Sequence, residues 1–148
     1  IIEVSNQPGA ALGKMTMNNL ENIERKVHTL LKNASVKVDH VYRCFHHPNA
    51  TIEFYKEDCS CRKPKPGLLH KAGHDLSINL KESIFLGDNL TDIQAGFEVG
   101  CSTILFPHTP HRNDTKEKLQ SDKAYQKTYL VNSLEEVPDV VAKIWPTI

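Results

Sequence analysis

Short apolar runs alternate along this chain with segments that carry apolar residues every three or four positions. The short runs predict β-strands over residues 1–4, 36–42, 83–86, 103–106 and 128–131. The longer spacing predicts helices over residues 16–32, 68–76 and 91–99, a brief helix over 116–122, and a last helix opened by a capping box at Ser133. Strands that alternate with helices indicate an α/β fold, a Rossmann-like open parallel sheet with helices on both faces.

Within this pattern, residues 43–67 stand out because they contain three prolines and little periodicity. A loop of that length is uncommon inside a compact domain unless something fixes it. The chain otherwise shows no repeat and no second domain, so residues 1–148 are predicted to form a single domain. Polar residues follow three predicted strands, at Ser5 and Asn6, in the segment 61–64, and at Asp88. Since ligands of such sheets bind outside the carboxyl ends of the strands, we expect these residues to meet at one edge.

The composition of the chain limits the kinds of partner that it is expected to bind. Hydrophobic residues make up 39% of the chain and charged residues 24%, which is typical of a globular domain, and 18 basic residues balance 18 acidic ones. The zero net charge gives no reason to expect nucleic acid as a partner. No apolar run approaches the roughly 20 residues of a membrane span, and the N-terminal residues lack a basic signal-peptide region. We expect a cytoplasmic protein, monomeric, that acts on a small molecule.

Three of the four cysteines fall in the long loop, in the segments Cys44-Phe-His46-His47 and Cys59-Ser-Cys61. Three thiolates and one imidazole make a complete tetrahedral Cys₃His zinc set, which leaves no open position and therefore indicates a structural role. Either histidine can supply the imidazole, and spacing by analogy favours His46. Zinc would take the place of a hydrophobic core in the zinc loop, residues 43–67.

Two further segments suit phosphate chemistry. Arg62-Lys63-Pro-Lys follows the last thiol directly and concentrates three cations, of which arginine suits bidentate contact and lysine a point charge. An apolar strand delivers Gly-Asp88, and Asp92 follows four residues later. One or two carboxylates with waters and a substrate phosphate are the ligands that Mg²⁺ prefers. Asp88 is the favoured ligand, while Asp92 either supports it or favours the positive end of its helix.

Together these residues resemble the haloacid-dehalogenase superfamily of phosphatases, and more narrowly the D-glycero-D-manno-heptose 1,7-bisphosphate phosphatase and histidinol-phosphate phosphatase families. The resemblance covers nearly the whole chain, through segments 4–9, 13–14, 44–48, 59–67 and 87–92. It implies that Ser5 hydrogen-bonds the transferring phosphoryl group, with Asn6 beside it. It also implies that Lys63 steadies nucleophile and phosphate and that Arg62 contacts the substrate. The metal ligands implied are Asp88, with Asp92 in support, for Mg²⁺, and for zinc Cys44, His46, Cys59 and Cys61.

One motif of the family is missing. Such enzymes attack phosphorus with the first Asp of an Asp-x-Asp, and the 148 residues contain no Asp-x-Asp. We therefore expect about 40 to 50 further residues upstream, one βα unit, or a partner chain that supplies the motif, and inactivity of this chain alone. The function predicted is a Mg²⁺-dependent phosphatase acting through a phosphoaspartate on a small phosphorylated metabolite, with a sugar bisphosphate favoured. The alternatives are a histidinol-phosphate phosphatase and a non-catalytic zinc-bearing module that binds a phosphorylated ligand or a protein.

Overall fold

The computed structural model describes residues 1–106, 117–119, 121, 125 and 127–146. Its described strands are β1 (Ile2–Asn6), β2 (His40–Cys44), β3 (Ile84–Gly87), β4 (Ser102–Leu105) and β5 (Tyr129–Leu130). Its main helices are α1 (Met17–Asn33), α2 (Gly67–Asp75), α3 (Leu90–Glu98) and α4 (Val137–Ile144). All the strand pairings are parallel, which confirms the predicted α/β class. The chain divides into two compact units, Ile1–Arg62 and Lys63–Ile148.

In the first unit, β1 and β2 pair along their whole length, from Ile2 opposite His40 to Asn6 opposite Cys44. The strand predicted over 36–42 begins only at His40. The reason is the way α1 ends: Ser35 adopts φ 57°, and the backbone N–H of Val36 donates to the carbonyl of Leu31. This left-handed helix end uses the backbone that a longer strand would need. β1 in turn extends past its predicted end to include Ser5 and Asn6.

Helix α1 begins as predicted, because the hydroxyl of the N-cap residue Thr16 accepts from the backbone N–H of Asn19 at 3.1 Å. Its apolar stripe, however, is not buried along its length. Leu20 is 3% exposed, whereas Ile23 and Leu30 are 50% and 56% exposed. Arg43 of β2 forms ion pairs with Glu24 of α1 and with Glu3 of β1, the latter at 3.6 Å. The face of α1 that carries Leu20 and Glu24 is therefore the one turned toward the strands.

In the second unit, the strands lie in the order β3-β4-β5, and β4 is buried on both faces. Adjacent residues of β4 point to opposite sides: Leu105 packs with Ile93 of α3, and Ile104 packs with Val140 of α4. Helices therefore cover both faces of this sheet, as predicted for the fold.

The helix ends of this unit follow the sequence closely. Gly100, with φ +84°, takes the left-handed conformation just after α3, which glycine favours at the end of a helix. Ser133 caps a 3₁₀ turn, Leu134–Glu136, and α4 begins only after that turn. Of the helix predicted over 116–122, residues 117–119 and 121 are helical, and the others lie outside the described residues. No helix among the described residues is both long and apolar enough to span a membrane.

Candidate functional site

Three thiols and one imidazole lie together at the carboxyl end of β2. Cys44 is the last residue of that strand. Its Sγ atom lies 3.5 Å from Sγ of Cys59 and 3.1 Å from Sγ of Cys61, and the latter two sulfurs are 3.0 Å apart. The Nδ1 atom of His46 lies 3.5 Å from Sγ of Cys61. The structure thus brings together the four side chains predicted as a zinc set.

The spacing of these donor atoms fits a tetrahedral zinc ion. All four lie within 4.8 Å of one another, and the sulfurs, 3.0–3.5 Å apart, need to separate only slightly to reach the spacing of about 3.8 Å that Zn–S bonds of about 2.3 Å require. The cysteines are free thiols, and even the closest pair is well beyond the S–S bond length of about 2.05 Å. Across the described part of the chain, no other group of three His, Cys, Asp or Glu side chains converges in this way.

The protonation of the thiols also favours a cation. Burial opposes ionisation of Cys59, but hydrogen bonds from Cys61 and Cys44 outweigh it and lower the pKa of Cys59 to about 7. For Cys61 and for Cys44, burial raises the pKa, and for Cys61 hydrogen bonds with the neighbouring thiols raise it further. One thiol therefore ionises readily, while two adjacent thiols resist a second and third negative charge. A divalent cation among them would remove that resistance.

The structure selects His46 over His47 as the imidazole of the cluster. The Nδ1 atom of His47 accepts a hydrogen bond from the backbone N–H of Asn49 at 3.0 Å, away from the thiols. The other ring nitrogen of His46, Nε2, lies 3.4 Å from a carboxylate oxygen of Glu57. Glu57 was not singled out from the sequence, because a lone glutamate in a polar segment has no distinguishing pattern.

Arg62 forms a hydrogen bond within the zinc loop. Its Nη1 donates to the backbone carbonyl of His46 at 3.3 Å, and the residue is half-buried. One N–H of the guanidinium is thereby used, and the remaining N–H groups are able to bind an anion such as a phosphate. The hydrogen bond therefore holds Arg62 in place beside the metal cluster.

Ser5 and Asn6 end β1 in the same unit. The register places Asn6 beside Cys44, so the end of β1 adjoins the first thiol of the cluster. The side chain of Gln7 donates to the hydroxyl oxygen of Ser5 at 3.0 Å, and its backbone N–H donates to the carbonyl of Cys44 at 2.7 Å. The Ser5 hydroxyl accepts in the first of these contacts and retains its own proton for donation.

In the second unit, Lys63 is held by a buried carboxylate. Its Nζ lies 2.7 Å from Oδ1 of Asp92, and the two side chains are 10% and 8% exposed. The ammonium also lies 5.6 Å from the centre of the Phe85 ring, a cation–π contact. The second carboxylate oxygen of Asp92 accepts from the backbone N–H of Asn89 at 3.0 Å. The predicted cation and the second predicted carboxylate are therefore brought together.

The turn from β3 into α3 accounts for the Gly-Asp sequence. A Cβ atom at Gly87 would stand 2.2 Å from Cβ of Asp92, so a larger residue would displace that carboxylate. Asp88 follows at the end of β3 and is exposed. An exposed carboxylate at a strand end fits Mg²⁺, which takes few protein ligands and completes its shell with water and phosphate. Each oxygen of Asp92 already has one partner, Lys63 for Oδ1 and the backbone N–H of Asn89 for Oδ2.

Comparisons with known proteins identify relatives of the chain. A family model described as HAD-hydrolase-like matches residues 60–137. The chain is 32% identical over 143 residues to a D-glycero-beta-D-manno-heptose-1,7-bisphosphate 7-phosphatase of Salmonella typhi, covering 97% of this chain and 73% of the relative. The enzyme of the same name from Escherichia coli K12 is 31% identical, with 97% and 72% covered.

A solved structure is similar as well. The D,D-heptose 1,7-bisphosphate phosphatase of B. bronchiseptica, complexed with magnesium and phosphate, superposes with a TM-score of 0.80 at 26% identity. The match covers 96% of this chain and 73% of that one.

Proposed function

The chain belongs to the haloacid-dehalogenase-like (HAD-like) hydrolase family, and from this premise we propose that it acts in hydrolysis of a phosphorylated sugar, with a heptose bisphosphate as the favoured substrate. The observation that carries the proposal is the buried ammonium of Lys63, fixed by Asp92 at the strand end that presents Asp88. A fixed positive charge beside a metal-binding carboxylate suits a phosphoryl group better than it suits a neutral ligand. The heptose phosphatase relatives support the choice of substrate.

Each proposed site residue has one task. Lys63 would stabilise the charge that develops on the phosphoryl oxygens, and its ammonium needs no reorganisation because Asp92 already holds it. Ser5 would donate its hydroxyl proton to a phosphoryl oxygen, with the polar side chain of Asn6 beside it. Arg62 would bind the substrate through the guanidinium N–H groups that His46 does not use.

Two metal ions complete the proposal. Cys44, His46, Cys59 and Cys61 would hold a structural zinc ion, whose closed shell orders the segment that ends in Arg62. Asp88 would hold Mg²⁺, which when bound neutralises phosphate charge and orients the ester. We keep the cytoplasmic location and the monomeric state as predictions.

The chemical step needs a carboxylate that these 148 residues do not contain in an Asp-x-Asp. In the reaction that the family resemblance implies, an aspartate attacks phosphorus, the sugar hydroxyl leaves, and water then hydrolyses the aspartyl phosphate. The second candidate function is a zinc-bearing module that binds a phosphorylated ligand without hydrolysing it, and the observation that favours it is the converging set of three thiols and one imidazole beside Arg62.

Both candidate functions require the chain to bind a phosphorylated ligand, and binding measurements test this requirement. In the presence of Mg²⁺, the chain should bind D-glycero-D-manno-heptose 1,7-bisphosphate more tightly than histidinol phosphate. Titration with each ligand measures the two affinities. Lys63→Ala should weaken heptose bisphosphate binding at least about tenfold while leaving the zinc content unchanged, because a charged hydrogen bond contributes about 1.5–3 kcal/mol. Lys71→Ala, which removes an exposed lysine, is the control. Equal affinity of the Lys63→Ala variant and the unmodified chain would contradict the role given to Lys63.

A further inference from the structure

Glu57 lies on the outer side of the metal cluster, against the imidazole of His46. The two ring nitrogens of that imidazole face different groups. Nδ1 lies 3.5 Å from Sγ of Cys61 and 4.0 Å from Sγ of Cys44, whereas Nε2 lies 3.4 Å from Oε2 of Glu57. The imidazole thus stands between the thiols and a carboxylate.

This arrangement determines which nitrogen can bind a metal. A neutral imidazole carries one proton, and only the nitrogen without the proton can donate its lone pair to an ion. A carboxylate accepts hydrogen bonds and cannot donate them when ionised, so Glu57 favours the tautomer with the proton on Nε2. That tautomer leaves Nδ1 unprotonated and directed at the sulfurs of the cluster. In carboxylate–histidine–metal arrangements, the carboxylate fixes the orientation of the ring.

We propose that Glu57 is a positioning residue for the metal centre, which holds His46 in the tautomer that binds zinc through Nδ1. The inference rests on the zinc site of the proposed function and does not depend on phosphatase activity. Glu57 lies two residues before Cys59, so one short segment contains both a thiol of the cluster and the carboxylate that faces His46. Glu53, another acid of the zinc loop, faces Lys56 at 3.8 Å instead.

Zinc affinity of the 148-residue chain, measured by competition with a chromogenic chelator, tests the role. Glu57→Ala should weaken zinc binding about 10- to 100-fold, which is the usual effect of removing such a partner. Glu57→Gln should bind zinc more tightly than Glu57→Ala, because the amide oxygen can still accept a hydrogen bond from the Nε2–H group of His46. The matched control is Glu53→Ala, which removes an acid of the same loop with a side chain 90% exposed and should change the affinity less than twofold.

Nuclear magnetic resonance of the zinc-loaded chain with ¹⁵N-labelled histidine gives a signature that a merely structural role would not produce. Long-range couplings should show His46 with its proton on Nε2 and its metal bond at Nδ1. Bonding through Nε2, or a Glu57→Ala variant with the zinc affinity of the unmodified chain, would overturn the inference about Glu57 alone. An unmodified chain that binds no zinc would overturn it together with the proposed metal centre.

Discussion

At the scale of single residues, the ion pair of Lys63 and Asp92 joins a cation of the Arg62-Lys63 segment to the first turn of α3, with both side chains largely buried. The sequence marked both residues as functional, but it assigned Asp92 to a metal ion or to the helix dipole. In the structure the carboxylate binds the ammonium of Lys63 at 2.7 Å and also caps α3. Residue types and spacing predict which groups can react, while the choice of partner depends on how the chain folds back.

This buried pair should be sensitive to removal of either partner. Lys63→Met leaves the carboxylate of Asp92 buried without its cation, and Asp92→Asn leaves the ammonium without its anion. Breaking a buried pair in this way costs about 3–5 kcal/mol, because the remaining charge has lost both water and its partner. We expect each variant to lower the free energy of unfolding by about 3 kcal/mol, measured by urea denaturation.

An exposed pair in the same unit provides the control. Lys71 and Asp75 of α2 also lie 2.9 Å apart, but the lysine side chain is 61% exposed. Lys71→Met should change the free energy of unfolding by no more than about 0.5 kcal/mol, since water screens an exposed i,i+4 pair. Similar losses for the two pairs would show that burial does not set the strength of the Lys63–Asp92 contact.

At the scale of elements, helix α1 shows what the spacing of apolar residues can and cannot predict. The spacing of its apolar residues and the Thr16 cap predicted the helix within one residue at either end. They did not predict its rotation, because the apolar stripe is buried only in part: Leu20 is 3% exposed, whereas Leu30 is 56% exposed. Glu24, on the same face as Leu20, pairs with Arg43 of β2, and a cross-element pair of this kind leaves no periodic signal in the sequence.

Two truncations of the stripe test this rotation. Leu20→Ala empties a position that is 3% exposed and should destabilise the chain by about 2–4 kcal/mol. Leu30→Ala shortens a side chain that is 56% exposed and should cost no more than about 0.5 kcal/mol. Both variants are compared by urea denaturation. A cost for Leu30→Ala as large as that for Leu20→Ala would mean that both leucines are buried in solution.

The zinc loop gives the second prediction at this scale. The described loop has one 3₁₀ turn, Glu53–Tyr55, as its own regular structure, so its order should depend on the metal centre. Removing zinc with a chelator should increase amide hydrogen exchange first in residues 44–62, while α3 and β4 keep their protection. Hydrogen-exchange mass spectrometry resolves the two regions.

A pair of cysteine variants separates the loss of metal from other effects on the loop. Cys61→Ser removes a thiol of the cluster and should lower the zinc content and loosen the loop even without a chelator. Cys101 lies outside the cluster and is not one of its four converging donors. Cys101→Ser should therefore keep the metal. Unchanged exchange in residues 44–62 after complete loss of zinc would refute the structural role of the ion.

At the scale of the whole molecule, the sequence pattern was sufficient for the class of fold and insufficient for its division. Alternating strand and helix signals predicted an open parallel sheet, and β4 is buried on both faces because its adjacent apolar residues, Ile104 and Leu105, point to opposite sides. The division into Ile1–Arg62 and Lys63–Ile148 has no such signal, because it falls inside the Arg62-Lys63 dipeptide, within one cationic motif.

Phosphatase turnover by the 148-residue chain is the test at this scale. The 148 residues contain the proposed cations and metal ligands but no Asp-x-Asp, so the polypeptide should bind a sugar bisphosphate and release no phosphate above background. Loss of a catalytic nucleophile typically removes about 10⁶-fold in kcat, which places any residual rate below detection in a malachite green assay. A trace of contaminating phosphatase is distinguished by the Lys63→Ala variant, since contamination persists in that preparation and genuine activity does not. Phosphate release that disappears with Lys63→Ala would show that another group in this chain attacks phosphorus.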